Sequence, residues 1–248
     1  WMTGSPTGAA AYSPAMDLVI TVRDPRAHAM LGGPGSGRSS ALRAVATAAL
    51  AALGPTLDVD AVSASPILGE LGGHPADGAV IAPGELSRLR RLEAQLTTSA
   101  GTATSSRRTL LLIDDWDRLV ADPSAAAALE SLLRAATGPA HAHVSIVAAG
   151  GRALATTRLL SLGTTICLPG LDAGDLLMLG VRPSQVTAND PGRGVRVSDG
   201  ADVQCLAPGP WPAPLVAEWP AGPAPRIEDL PTRVALAAAI SIAEPGRH

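Results

Sequence analysis

The chain of 248 residues is 46% hydrophobic and 17% charged, with a formal net charge of −3. This balance predicts a globular protein with a sizeable core and excludes a disordered chain. No apolar run approaches the roughly 20 residues of a membrane-spanning helix, and the slight acidity excludes a chain-wide basic surface for nucleic acid.

The composition is skewed in a way that affects the motifs. All 19 basic residues are Arg, and Phe is absent, as a GC-rich genome imposes on codon choice. A Lys missing from a motif therefore has two explanations, compositional drift and loss of function. Cys167 and Cys205 are too few for a disulfide scaffold or a four-cysteine zinc site, and we expect both to be small buried residues.

Strands and helices alternate along most of the chain. Strands are predicted at Asp17–Val22, Leu57–Val62, Thr109–Ile113, His143–Ala149 and Thr164–Leu168, and Ala27–Leu31 leads directly into a glycine cluster. Helices are predicted at Arg38–Leu53, Pro83–Gln95, Ala125–Ala136, Arg152–Leu162 and Asp172–Leu179, whereas residues 63–82 predict a loop with short elements. This order predicts an α/β fold with a central, mostly parallel sheet and helices on both faces.

The two ends of the chain differ from this pattern. Residues 1–14 are small, polar and aperiodic, and predict a disordered or cloning-derived tail. Asp199-Gly200 lies between two short β-prone runs and predicts a C-terminal β-hairpin. We therefore assign residues 15–209 to one module and residues 210–248 to a Pro-rich extension that links to a following module.

The strongest motif is a glycine-rich loop between a strand and a helix. Its residues are Gly32, Gly33, Pro34, Gly35, Ser36, Gly37, Arg38 and Ser39, followed by Ser40. They fit the phosphate-binding P-loop pattern G-x-x-x-x-G-K-[ST] at every fixed position except that Arg38 replaces Lys. Such glycines let backbone N–H groups converge on a phosphate, and the hydroxyl of Ser39 is placed to bind Mg²⁺.

A second motif ends the strand Thr109–Ile113. An apolar run followed by Asp114 and Asp115 is the Walker B pattern, in which Asp114 holds Mg²⁺ through water. Asp115 stands where many ATPases have a Glu that activates the attacking water, which makes it the candidate catalytic residue. Together the two motifs predict ATP and Mg²⁺ as cofactors.

Two substitutions argue against efficient hydrolysis. Arg is longer than Lys, planar and forked, so Arg38 cannot occupy the Lys pocket identically, although it still binds phosphate. Asp115 is shorter than Glu. Because catalysis requires charge placed accurately at the transition state, we expect nucleotide binding with weak or lost ATPase activity.

These motifs resemble the FtsK/SpoIIIE superfamily, and in particular the repeated ATPase modules of EccC and EssC in type VII secretion. The resemblance rests on residues 28–42, on residues 111–117, and on a distal block comprising residues 174–183, the turn Pro191-Gly192-Arg193-Gly194 and residues 203–206. It implies a RecA-like core that works beside neighbouring modules or as a homo-oligomer. It also implies a cytoplasmic part of a longer, membrane-anchored protein, with no membrane contact by this chain itself.

The resemblance leaves three functions open. The first is a degenerate nucleotide-binding module with a regulatory or substrate-docking role. The second is an active DNA-translocating ATPase, which the acidity and Arg38 disfavour. The third is a module that docks a secreted substrate peptide and binds no nucleotide. Arg152 and Arg158 are candidate arginine fingers toward a neighbour, and Ser145 is a candidate polar group near the terminal phosphate.

Overall fold

The computed structural model describes residues 27–63, 65–69, 71, 77–99, 107–138, 143–186 and 192–205. Eight strands lie in these ranges: β1 Ala27–Leu31, β2 Leu57–Val62, β3 Asp77–Ile81, β4 Arg108–Ile113, β5 Val144–Gly150, β6 Thr165–Cys167, β7 Arg193–Arg196 and β8 Asp202–Gln204. The helices are α1 Arg38–Leu53, α2 Pro66–Gly69, α3 Leu86–Ser99, α4 Trp116–Leu119, α5 Pro123–Ala136, α6 Arg152–Ala155 and α7 Ala173–Met178. Short 3₁₀ turns occur at Gly54–Thr56, Arg158–Ser161 and Pro183–Gln185.

The strands form one sheet in the order β3-β2-β4-β5-β1-β6-β7-β8. The strands from β3 to β6 in this order are parallel to one another, and β7 and β8 add an antiparallel hairpin at one edge. β1, which enters the glycine-rich loop, is in the interior of the sheet. The predicted α/β class, mostly parallel sheet and C-terminal hairpin are confirmed.

Strand β4 shows why an unbroken apolar run indicates a strand buried on both faces. Leu110 and Leu112 pack with α1 in one core cluster, whereas Leu111 and Ile113 pack with α3 and α5 in the other. Successive side chains of a strand point to opposite faces, so a strand covered by helices on both sides must be apolar at every position.

The helices that cover the sheet are amphipathic. On α3, Leu89, Leu92 and Leu96 recur at helical spacing, and all three are buried. Helix α5 begins after Asp122, whose carboxylate accepts hydrogen bonds from the backbone N–H groups of Ser124 (2.8 Å) and Ala125 (3.4 Å). None of the helices in the described part of the chain is long and apolar enough to cross a membrane.

Two regions differ most from the sequence-based predictions. Residues 63–82 contain the short helix α2 and the edge strand β3, whose Ala79 and Ile81 are buried. The predicted helix Arg152–Leu162 is two pieces, α6 and a 3₁₀ turn. It breaks at Thr156 and Thr157, whose hydroxyls donate to the carbonyls of Ala153 and Leu154 and so compete with helix continuation.

Several predictions concern residues outside the described ranges. They are the tail 1–14, the strand Asp17–Val22 and the extension 210–248. The strand that enters the loop is Ala27–Leu31, which the sequence marked only as leading into the glycines.

Candidate functional site

The parallel sheet brings both motifs to one edge, where its strands end. Gly32 follows β1 and Asp114 follows β4, with β5 between these two strands. The loop crosses the end of β5, because the N–H of Gly32 donates to the carbonyl of Gly150 at 3.0 Å. The crossing allows the hydroxyl of Ser39 to donate to the carboxylate of Asp114 at 2.6 Å.

Two glycines of the loop stand where a side chain would collide with another segment or where the backbone is left-handed. Gly33 lies so close to Gly170 that a Cβ atom on Gly33 would collide with the Gly170 carbonyl. Gly37 has φ 94° and immediately precedes α1. Only glycine adopts this left-handed conformation without strain, so the tight entry into the helix depends on it.

The N-terminus of α1 is open toward the loop. The residue before the helix, Gly37, has no side chain to cap it, and the first turn contains no acidic residue. The first N–H groups of a helix have no partner within it and carry partial positive charge, so this end is suited to an anion. The hydroxyl of Ser36 is buried in the same loop, with no hydrogen-bond partner among the described residues. Both features fit a nucleotide phosphate as ligand.

Asp114 is the most constrained acidic residue of the site. It is 3% exposed. One carboxylate oxygen, Oδ2, accepts from the hydroxyls of Ser39 (2.6 Å) and Ser63 (3.3 Å), and the other accepts from the N–H of Asp115 (2.9 Å). Sequence reasoning missed Ser63. The signal for it was its place directly after β2, since β2 and β4 pair in register at Val62 and Ile113.

The oxygen atoms around Ser39 and Asp114 are the ligand type that Mg²⁺ prefers. The described residues contain no cluster of three or more His, Cys, Asp or Glu side chains that would hold a metal ion unaided. One carboxylate and one hydroxyl suit an ion that keeps several waters and shares phosphate oxygens. The residues present therefore fit Mg²⁺ delivered with a nucleotide.

Arg38 and Asp115, the two residues that differ from the consensus motifs, lie opposite each other. A guanidinium nitrogen of Arg38 is 3.7 Å from a carboxylate oxygen of Asp115, and the Arg38 side chain is only 14% exposed. Asp115 has φ 56°, which is the only positive φ of a non-glycine residue in the described ranges. This strained backbone turns the chain sharply from β4 into α4 and leaves Asp115 facing the loop.

Asp117, which the sequence does not mark as functional, links the Walker B segment to the end of β5 through hydrogen bonds. Its carboxylate accepts from the N–H of Gly151 and from the N–H of Ala153 at 2.8 Å. These bonds satisfy donors at the start of α6 and hold Asp115 and its short helix beside the loop.

We expect Asp117→Ala to destabilise the fold by about 1–3 kcal/mol, because two backbone donors lose a charged acceptor. Urea unfolding followed by circular dichroism measures this, with Arg118→Ala as the control, since Arg118 is the exposed neighbour on the same helix. Equal midpoints for the two variants would contradict the role of Asp117.

Ser145 is not near the phosphate site. It pairs in register with Leu110, four residues before Asp114, and so lies toward the other end of the sheet. The residues of β5 level with Asp114 and beyond it are Ala149, Gly150 and Gly151, which have no polar side chain. The hypothesis that Ser145 contacts the terminal phosphate is therefore wrong.

The candidate arginine fingers face solvent. Arg152 has a 75% exposed side chain and lies 3.6 Å from the carboxylate of Asp175. Arg158 is also exposed. Their contact with a neighbour stays a prediction.

Burial disfavours the reactive thiolate form of both cysteines. Burial raises the pKa of the Cys167 thiol to about 12 and that of the Cys205 thiol to about 11. Both thiols are therefore protonated, and only thiolates react readily. Cys167 is buried and Cys205 partly buried, in line with their predicted packing role.

Solved structures with a similar fold include ATPase domains of type VII secretion proteins. The chain superposes on ATPases 2 and 3 of Thermomonospora curvata EccC, in complex with a signal sequence peptide, with a TM-score of 0.67 and 19% identity over 85% of this chain and 46% of that one. For ATPases 2 and 3 of Geobacillus thermodenitrificans EssC the TM-score is 0.63, with 15% identity over 88% of this chain and 49% of that one. For the cytoplasmic domain of the Thermomonospora curvata type VII secretion ATPase EccC it is 0.58, with 14% identity over 76% and 24%.

The fold is therefore that of a P-loop ATPase module, and the resemblance to EccC and EssC is confirmed at the level of the fold. The chain spans about half the length of the two-ATPase structures it matches. No family model matches the chain, and no curated protein sequence matches it.

Proposed function

We propose that this chain is a nucleotide-binding module of an FtsK/EccC-like translocation or secretion protein that binds ATP with Mg²⁺ and hydrolyses it poorly. The observation that carries the proposal is the hydrogen bond between Ser39 and Asp114, because it joins the P-loop to the Walker B strand. The uncapped start of α1 and the buried Ser36 hydroxyl support the phosphate site.

Three features support weak hydrolysis. Arg38 replaces the P-loop Lys, and its guanidinium lies 3.7 Å from a carboxylate oxygen of Asp115. Asp115 is shorter than the Glu that activates water. The end of β5 offers no polar side chain beside the phosphate site. Each misplaces or lacks a group that acts in the transition state, where one missing donor alone costs about 10²–10³ in rate.

The proposal predicts Mg²⁺-dependent binding through Ser39. Calorimetric titration with ATP is expected to give saturable binding at one site, tighter in Mg²⁺ than in EDTA. Ser39→Ala is expected to weaken binding about tenfold in Mg²⁺, because the hydroxyl that would hold Mg²⁺ beside Asp114 is lost. Ser87→Ala, at an exposed serine of α3, is the matched control. Equal affinities for these two variants would contradict the proposal.

A cleft supports peptide docking as a second function. It has a volume of about 570 Å³ and is bordered by α4, α5 and α6, with the lining residues Trp116, Val120, Ala126, Glu130, Leu133, Arg134, Ala153, Thr156, Thr157 and Arg158. The EccC structure that this chain matches is a complex with a signal sequence peptide. By that likeness a secreted substrate peptide is the proposed occupant, and the absence of ATP binding would make docking the main function.

An active DNA-translocating ATPase is the remaining alternative. Its test is steady-state hydrolysis with and without duplex DNA. We expect no stimulation, because a chain with net charge −3 offers little general attraction to phosphate backbones. The likeness to EccC and EssC also supports the proposal that the module is cytoplasmic and works beside neighbouring ATPase modules or further copies of itself.

A further inference from the structure

The base of the β7–β8 hairpin contacts the phosphate-binding loop at Ser36, which we call the crown of the loop. The N–H of Gly192, the residue before β7, donates to the carbonyl of Ser36 at 3.1 Å. The carbonyl of Gly192 accepts in turn from the N–H of Cys205, the residue after β8, at 2.7 Å. Gly192 therefore links the hairpin to the loop through its own backbone.

The other backbone hydrogen bonds that join residues 32–36 to segments outside the loop are at its entry. Gly32 is held by Gly150 after β5, and the N–H of Gly33 donates to the carbonyl of Pro169 at 2.8 Å. Within the described ranges, Gly192 is the residue outside the loop that donates a backbone hydrogen bond to its crown. The entry is thus fixed by the sheet, whereas the crown depends on the hairpin.

The contact of Gly192 sets the direction of one peptide group. In a planar trans peptide the C=O and the following N–H point in opposite directions. With the carbonyl of Ser36 directed at Gly192, the N–H of Gly37 points away from the hairpin. Loop amides that are already oriented bind phosphate without a further ordering cost.

We propose that Gly192 is a positioning residue for nucleotide binding: through the Ser36 carbonyl it orients the Gly37 amide toward the phosphate. The inference rests on the proposed nucleotide-binding function and adds to it a residue outside the P-loop motif. Loss of the Gly192 contact is expected to weaken nucleotide binding.

Glycine is required at this position for two reasons. Gly192 has φ 78°. A Cβ atom there would lie 3.2 Å from the carbonyl oxygen of Cys205 and 3.4 Å from Nε2 of Gln204. Its backbone also lies close to Gly37, since a Cβ on Gly37 would be 3.3 Å from the nitrogen of Gly192.

The hairpin contains a matched control. Gly200, at the hairpin tip, has φ 70°, and a Cβ atom there would meet only Nε2 of Gln185, at 3.4 Å. Gly192→Ala and Gly200→Ala therefore impose similar backbone strain on one hairpin, but only the first lies against the loop. We expect both to lower the melting temperature by a few degrees.

The test has a readout with nucleotide and one without. Calorimetric titration of the full chain with ATP and Mg²⁺ is expected to show about tenfold weaker binding for Gly192→Ala and unchanged binding for Gly200→Ala. In nucleotide-free protein, amide exchange in the loop peptide 32–40 is expected to accelerate in Gly192→Ala alone.

The outcomes separate this inference from the proposed function. Equal loop exchange in the two variants, or equal affinities when the parent chain binds ATP, would overturn the role of Gly192. A parent chain that binds no ATP, with faster loop exchange in Gly192→Ala, would leave the hairpin contact supported and overturn the proposed function and the nucleotide part of this inference.

Discussion

Asp114→Asn is expected to lower the affinity for ATP in Mg²⁺ by about 10–100-fold, the usual cost of altering a group that orients a metal's ligands. Asp114 is buried and accepts hydrogen bonds from Ser39, Ser63 and the backbone of Asp115. The amide keeps the size of the side chain but removes the negative charge and half of its acceptors. Binding measured in EDTA is expected to change much less, because there the charge has no cation to hold.

The control is Asp122→Asn, the same substitution at the exposed N-cap of α5. Asn caps a helix about as well as Asp, so both stability and nucleotide binding are expected to remain near those of the parent. An Asp114→Asn protein that is folded by circular dichroism and keeps its Mg²⁺-dependent affinity would contradict the assignment of Asp114.

Arg38→Lys is expected to raise the rate of ATP hydrolysis about tenfold or more. The lysine ammonium is a compact charge with freely rotating donors, whereas the guanidinium of Arg38 is a planar fork that faces Asp115 at 3.7 Å. Lysine restores the motif's cation at the β- and γ-phosphates. Combining it with Asp115→Glu is expected to raise the rate further, since the longer carboxylate reaches the attacking water.

The rate is measured as phosphate release at saturating ATP, beside Arg90→Lys at an exposed position of α3. If the rate of hydrolysis rises in neither Arg38→Lys nor the double variant, the cause of slow hydrolysis lies elsewhere, for example in the missing polar side chain at the end of β5 or in an absent neighbour. That result would contradict the view that Arg38 limits hydrolysis.

The sequence predicts the parts of the site that lie in contiguous motifs. The loop from Gly32 to Ser39 and the strand that ends at Asp114 are each recognised from the spacing of residues within one segment. The parallel sheet then brings the two segments to one edge. Ser63 and Gly192 lie in neither motif. Each reaches the site through strand register or hairpin pairing, so its role appears only once distant segments are placed side by side. The hypothesis for Ser145 is wrong for the same reason. The sequence predicts the strand that contains Ser145, but not that this residue lies toward the end of the sheet away from the phosphate site.

The same limit applies to the fold. Long apolar runs such as β4 and periodic helices such as α3 are evident from the sequence because burial dictates every position. The edge strand β3 has only Ala79, Val80 and Ile81 as an apolar signal, among many Gly and Pro residues. The break at Thr156 and Thr157 depends on which carbonyls their hydroxyls select, which hydrophobic periodicity does not encode.

The fate of bound ATP tests the central claim most directly. Labelled ATP is mixed with an excess of the parent chain in Mg²⁺, the complex is isolated by rapid filtration, and the nucleotide is separated after set times. The account predicts that ATP is retained and recovered largely intact, with turnover well below about 1 per second, the lower end of typical enzyme rates. The account would be contradicted if the protein at millimolar concentration retained no nucleotide, or if it converted the bound ATP to ADP at an ordinary enzymatic rate.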